Sequence, residues 1–253
     1  MKLKQLEMAL EDVDVFEKPK IHLEQYPTTP HLAACFLYDA QNRFDDIEGK
    51  MVCDLGCGTG MLSIGASILG ASYVCGIDVD DDALCIAAQN VGHIRFCTIE
   101  ETETQGEKTE ADPSGSDAGD EEETRIKMAT VAVEERRWRA RACYDTVIMN
   151  PPFGTRCKGM DIIFLLSGLC LARRAVYSMH KTSTREHLLK KAAQYGLQME
   201  VLAQLKFDVP AMYDFHKKSN VVIEVDLIRI EVPPSGVPPS LITVIASSHS
   251  WFA

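Results

Sequence analysis

The sequence predicts an α/β fold, a mostly parallel sheet with helices on both faces. Two observations carry this. From residue 51 onward, short apolar runs alternate with helical patterns, and a glycine-rich turn, Gly56-Cys57-Gly58-Thr59-Gly60, directly follows the first run. Strand–helix–strand repetition is the pattern of a parallel sheet. The chain has 253 residues, enough for one sizeable α/β core and too few for two full domains. Residues 1–231 therefore read as a single domain.

Taken in order, residues 1–17 read as an amphipathic helix. Thr29-Pro30 looks like an N-cap followed by proline at the first helical position, opening a helix to about Phe44. MVCDL (51–55) is a short apolar strand, with a helix from about Met61 to Leu69 after it and Gly70 at its end. SYVCGID (72–78) is a second strand, and Asp80 can cap a helix over 81–91. TVIMN (146–150) and AVYSMH (175–180) are strands, and Thr184 can cap a helix to about Gln194. MEVLAQLKF (199–207) and NVVIEVDLIRI (220–230) close the pattern. For the third strand two segments compete, HIRFCTIE and residues 126–133; the second is richer in β-branched and apolar residues and is preferred.

Two segments fall outside this core. Residues 98–124 hold eleven acids and one base, with almost no large apolar side chain, so they cannot offset their ordering entropy and read as disordered. They carry nearly all of the net charge of −11, and the remaining body is close to neutral. The acidic balance therefore does not argue against a nucleic-acid partner. The tail 232–253, with PPSGVPPS, reads as a loose extension. No apolar run approaches the ~20 residues of a membrane span, and the N-terminus lacks the apolar core of a secretory signal. Nine cysteines without a CxxC pair suggest neither a disulfide framework nor a zinc site, but small buried hydrophobes in a reducing compartment; no metal is expected.

Two motifs carry chemistry. Asp54 precedes Gly56, Gly58 and Gly60 at the end of a strand, and Met61 opens the next helix. Glycines there permit a tight turn and close backbone approach, while the helix N-terminus offers free N–H groups. A dinucleotide fingerprint would need glycine at 61. GxGxG with an acid upstream is instead the pattern of S-adenosyl-L-methionine sites, and Asp78 ends the next strand where a carboxylate can grip ribose hydroxyls. The second motif is Asn150-Pro151-Pro152-Phe153, at the carboxyl end of a strand and so on the face where open parallel sheets bind ligands. An adenine amine is a poor nucleophile because its lone pair is spread into the ring. The Asn150 side-chain oxygen and the Pro151 carbonyl can accept its two N–H bonds and favour a pyramidal nitrogen. Pro151 and Pro152 stiffen the turn, and Phe153 can stack on a base drawn out of its neighbours. This scheme needs no catalytic base. A basic group, Lys181 and Arg185 with His216, Lys217 and Lys218, falls on the same face if the penultimate strand is parallel and the last antiparallel. It can hold phosphates.

EKPKIHLEQYPTTPHLAA (17–34), DLGCGTGMLSIGA (54–66), YDTVIMNPPFGT (144–155), AVYSMHKTSTREH (175–187) and FHKKSNVVIEVDLIRI (215–230) resemble the methyltransferase-like protein 5 family. The resemblance covers nearly everything except 98–124 and the tail. It implies a Rossmann-like class I methyltransferase fold, a seven-stranded, mostly parallel sheet with the last strand antiparallel. It implies N6-methylation of an adenosine in small-subunit ribosomal RNA. A heterodimer with the small zinc-binding activator subunit shared by several methyltransferases and residence in nucleus, nucleolus and cytoplasm are implied as well. By motif, Asn150, Pro151, Pro152 and Phe153 would be catalytic. Gln25 and Thr28 would line the cofactor pocket, and Gly56, Thr59, Met61 and Asp78 would bind cofactor. Thr59 stands where the family often has cysteine. The family also has an acid at the end of the third strand, where this chain offers Ala132, Glu134 or, with the other strand assignment, Glu100. The family order puts that third strand outermost, where the activator subunit could cover it. Other readings of the same motifs are methylation of a protein glutamine or DNA adenine, or a non-catalytic binding module that keeps the fold.

Overall fold

In the computed structural model the described residues are 1–93, 125–130, 142–210, 220–238 and 240–241. The helices are α1 (Leu3–Leu10), α2 (Pro30–Phe44), α3 (Met61–Ile68), α4 (Asp81–His93), α5 (Met160–Leu171) and α6 (Arg185–Gln194). The strands are β1 (Met51–Leu55), β2 (Tyr73–Asp78), β3 (Arg125–Thr130), β4 (Tyr144–Met149), β5 (Ala172–Lys181), β6 (Gln198–Pro210) and β7 (Asn220–Glu231). They form one seven-stranded sheet in the order β3-β2-β1-β4-β5-β7-β6. The pairs from β3 to β5 are all parallel, and β7 runs antiparallel to both β5 and β6. This is the expected topology, with β3 at one edge. The third strand is the C-terminal of the two competing segments, although Ala132, Glu134 and Glu100 lie outside the described residues.

The period of two along each strand divides the core. In β1, Val52 packs into the cluster under α1, α2 and α3, while Cys53 packs into the one under α5 and α6. In β4, Ile148 faces the first cluster and Val147 and Met149 the second. Both faces of the central strands are thus covered, which is why they read as unbroken apolar runs. Helix starts follow local chemistry. Thr29 Oγ1 accepts the Leu32 N–H at 3.3 Å with Pro30 at the first helical position, and Asp80 Oδ1 accepts the Asp82 N–H at 3.1 Å.

Four expectations need correction. The first helix ends at Leu10 rather than 17, because Asn90 takes both backbone groups of Asp14 and draws the chain into an extended strap. Thr184 does not cap α6; its hydroxyl donates to the Lys181 carbonyl within a short 3-10 turn. The tail is not loose where described: Val232 and Leu241 are buried in the α5–α6 cluster and Val237 packs against it. Of the eight described cysteines, Cys53, Cys57 and Cys75 are buried, Cys35, Cys143, Cys157 and Cys170 are half-buried and Cys85 is exposed; none of the eight is in a disulfide. At the amino end of β1, the fully buried Asp46 accepts hydrogen bonds from Tyr177, Arg174 and Arg229, tying the loop before β1 to β5 and β7.

Candidate active site

At the carboxyl ends of β1, β2 and β4 lies a cavity of about 290 Å³. Its floor is the glycine turn. The Gly56 and Cys57 N–H groups donate to the Ile77 carbonyl at 2.8 and 3.0 Å, lashing the turn to the end of β2. Glycine is required twice over at Gly56 and Gly58. Their φ values of +76° and +54° suit only glycine well, and a Cβ would come within 2.9 Å of Phe164 or 2.7 Å of Phe16. Asp78 holds the turn from the side. Its Oδ2 accepts the Gly58 N–H at 2.8 Å, and its Oδ1 accepts those of Val79 and Asp80 at 2.8 and 3.0 Å. Burial raises its carboxyl above the usual range, against the lowering effect of those three bonds.

Asp54, at the end of β1, is buried beneath the turn. Its Oδ2 accepts from Ser63 at 2.7 Å, its Oδ1 has no partner, and burial pushes its carboxyl up to about 7. The strap from Asp14 to Thr28 closes the cavity from above and contributes Phe16, Glu24, Gln25 and Thr28 to its wall. Gln25 lines the cavity, but its polar atoms are already engaged. Its Nε2 donates to Asp80 at 2.6 Å and its Oε1 accepts the Lys20 N–H at 2.7 Å, so it pins the strap to the β2–α4 junction. Lys20 reinforces this with ion pairs to Asp80 and Asp82.

The turn that begins at Asn150 faces this strap. Asn150 Nδ2 donates to Thr28 Oγ1 at 3.0 Å, leaving Asn150 Oδ1 buried and unpartnered. Glu24 Oε1 accepts the Arg156 N–H at 2.7 Å, leaving its Oε2 buried and unpartnered. Buried polar groups are rarely left without partners, so these oxygens point to a ligand. Unpartnered carboxylate oxygens of Glu24 and Asp54, with Asp78 beside them, fit a cationic nucleoside-bearing molecule.

Asp54, Gly56, Gly58, Thr59, Met61, Asp78, Asn150 and Pro152 all line the cavity. Gly60 does not; at φ +89° it caps α3. Pro151 is buried in the turn. Phe153 lies outside, its ring edge-on to Phe207 at 5.9 Å with Lys181 Nζ 5.9 Å from its centroid. Arg185 departs from expectation. Its Nε and Nη2 each donate to the buried Asp226 at 2.6 Å, and Nη2 also donates to Gln204, so its charge is neutralised within the protein rather than offered to phosphate. His216, Lys217 and Lys218 lie outside the described residues. The sequence reading missed Phe16, Glu24 and Phe164. Only Glu24, beside Gln25 in LEQYPT, carried a signal in its local motif.

Sheet order and cavity together place the protein in the class of Rossmann-like methyltransferases. Over residues 27–112 it matches the family model described as ribosomal protein L11 methyltransferase. It is 46% identical over 230 residues to the rRNA N(6)-adenosine-methyltransferase METTL5 of Danio rerio, covering 90% of this chain and 98% of that one. Identity to the Drosophila melanogaster relative of the same description is 42%, over 92% and 97%. A solved Pyrococcus horikoshii structure, described as a candidate RNA methyltransferase, superposes with a TM-score of 0.69 at 31% identity, covering 91% of this chain and 98% of that one. The chain belongs to the METTL5 family of rRNA N(6)-adenosine-methyltransferases. The L11 match takes in the glycine turn and Asp78 and ends before Asn150.

Proposed function

We propose that this protein transfers the methyl group of S-adenosyl-L-methionine to the N6 amine of an adenosine in ribosomal RNA, and that the RNA is that of the small subunit. The observation that carries this is Asn150 Oδ1, a buried acceptor without a partner whose amide is fixed from behind by Thr28. Bound in the cavity, S-adenosyl-L-methionine supplies an electrophilic methyl group on a sulfonium.

The residues do the rest by positioning. Asp78, with both oxygens already oriented by backbone N–H groups, accepts the ribose hydroxyls. Gly56, Gly58, Thr59 and Met61 form the surface against which the cofactor lies. Asn150 Oδ1 and the Pro151 carbonyl accept the two amine N–H bonds, turn the nitrogen lone pair toward the methyl group and meet the charge that develops there. Phe153, braced by Phe207, offers a face to the extruded base, and Lys181 stands close enough to hold a neighbouring phosphate. In-line geometry of this kind is worth ~7 kcal/mol or more.

The zinc-binding activator subunit is the partner in this reading. It is supported by β3, an edge strand whose outer side has no strand neighbour among the described residues. Nuclear, nucleolar and cytoplasmic residence rests on the family resemblance alone. Transfer of a labelled methyl group onto total RNA and protein tests the proposal. Label is expected in N6-methyladenosine of small-subunit RNA. Asn150→Ala is expected to lower turnover roughly a hundredfold or more while binding S-adenosylhomocysteine as before. Label confined to protein, or near wild-type turnover by Asn150→Ala, would refute it.

A further inference from the structure

We infer that Glu24 binds the ammonium group of the cofactor's amino-acid end and links cofactor occupancy to the catalytic turn. This rests on the cofactor assignment above. Glu24 is 7% exposed, lines the cavity and sits at φ +53°, a left-handed conformation that a glutamate adopts only when its surroundings hold it there. Its carboxylate is divided between two tasks. Oε1 takes the Arg156 N–H at 2.7 Å, at the far end of the turn that begins with Asn150. Oε2 has no hydrogen-bond partner. A carboxylate only accepts when ionised, so that buried oxygen waits for a donor, and a charged one fits best.

Position selects the donor. With the ribose at Asp78 on β2 and the methyl group facing Asn150 on β4, the amino-acid end is left to the rest of the cavity wall, to which the strap contributes Glu24. Asp54, the other acid with an unpartnered oxygen, lies below the glycine turn and is partly protonated at neutral pH, with its carboxyl near 7. Glu24 touches both the cavity and the Arg156 backbone, whereas Thr28 touches the cavity and Asn150. The strap therefore grips the catalytic turn at both ends, and an ammonium on Oε2 would neutralise the charge at one of those grips.

The test uses Glu24→Gln, which keeps the shape and the acceptor for Arg156 and removes the charge. Calorimetry compares S-adenosylhomocysteine with 5′-methylthioadenosine, which has the same nucleoside and thioether sulfur but no amino-acid end. The variant is expected to bind S-adenosylhomocysteine about tenfold weaker or worse and 5′-methylthioadenosine as the wild type does. Its unliganded melting temperature should change little, since the glutamine oxygen still accepts the Arg156 N–H and Oε2 has no hydrogen-bond partner to lose. Unchanged affinity for S-adenosylhomocysteine, or an equal loss for both ligands, would overturn the inference. Should the variant fail to fold, the wild type decides the matter. It should prefer S-adenosylhomocysteine over its deaminated analogue by about tenfold, and equal affinities would overturn the inference. A wild type that binds neither nucleoside would instead sink the cofactor assignment itself.

Discussion

Asp54 and Asp78 are both carboxylates beside the glycine turn, yet their surroundings ask different things of them. Asp54 is buried with one oxygen unpartnered, and its carboxyl is raised to about 7. An acid whose folded value lies above its unfolded value of 3.8 binds more protons in the native state between the two. Its contribution to stability is therefore lost as pH rises from about 4 to about 7. Melting of the unliganded protein across that window is expected to show the decline, and Asp54→Asn is expected to flatten it; an unchanged profile would remove Asp54 as its source. Asp78 instead accepts three backbone N–H bonds and organises the turn. Asp78→Ala is expected to weaken S-adenosylhomocysteine binding by ~2 kcal/mol or more, through lost ribose contacts and a loosened turn. Calorimetry measures this, and full affinity in the variant would exclude the residue from the site. These positions were legible in sequence because their motifs are contiguous and fall at strand ends. Arg185 was misread because its partner, Asp226, comes from a distant strand, and Phe16 and Phe164 were missed because only the folded chain brings them to the turn.

At the scale of elements, the central strands and α2 to α4 follow from local patterns, and the errors fall where long-range contacts override them. Leu6, Leu10 and Val13 keep a helical spacing and are all buried, so the apolar pattern alone runs past the true end of α1. Asn90, from α4, decides the matter by capturing Asp14. Past β7, proline and glycine suggested a loose tail, but Leu241 is fully buried among Val232, Ile230 and the residues of α5 and α6. Leu241→Ala is expected to cost on the order of 3 kcal/mol, seen as a lower denaturation midpoint; a loss below ~0.5 kcal/mol would show the segment is not part of the core.

For the whole molecule, the sheet separates its functions. The cavity occupies the carboxyl ends of the parallel strands, while β3 starts at Arg125 beside Tyr73, at the opposite end of the sheet. Deleting residues 100–122 is accordingly expected to leave melting temperature and S-adenosylhomocysteine binding near wild type; a large fall in either would show that the segment supports the fold. On the catalytic side, β6 and β7 pair onward past the last β5 partner, Val225 opposite Lys181, and stay in register to Pro210 and Asn220. Residues 220–224 thus extend roughly 17 Å at ~3.4 Å per residue, a two-stranded ribbon whose Phe207 meets Phe153. Along that stretch β6 and β7 have only each other as strand neighbours among the described residues, so the shape of the ribbon rests on this one pairing.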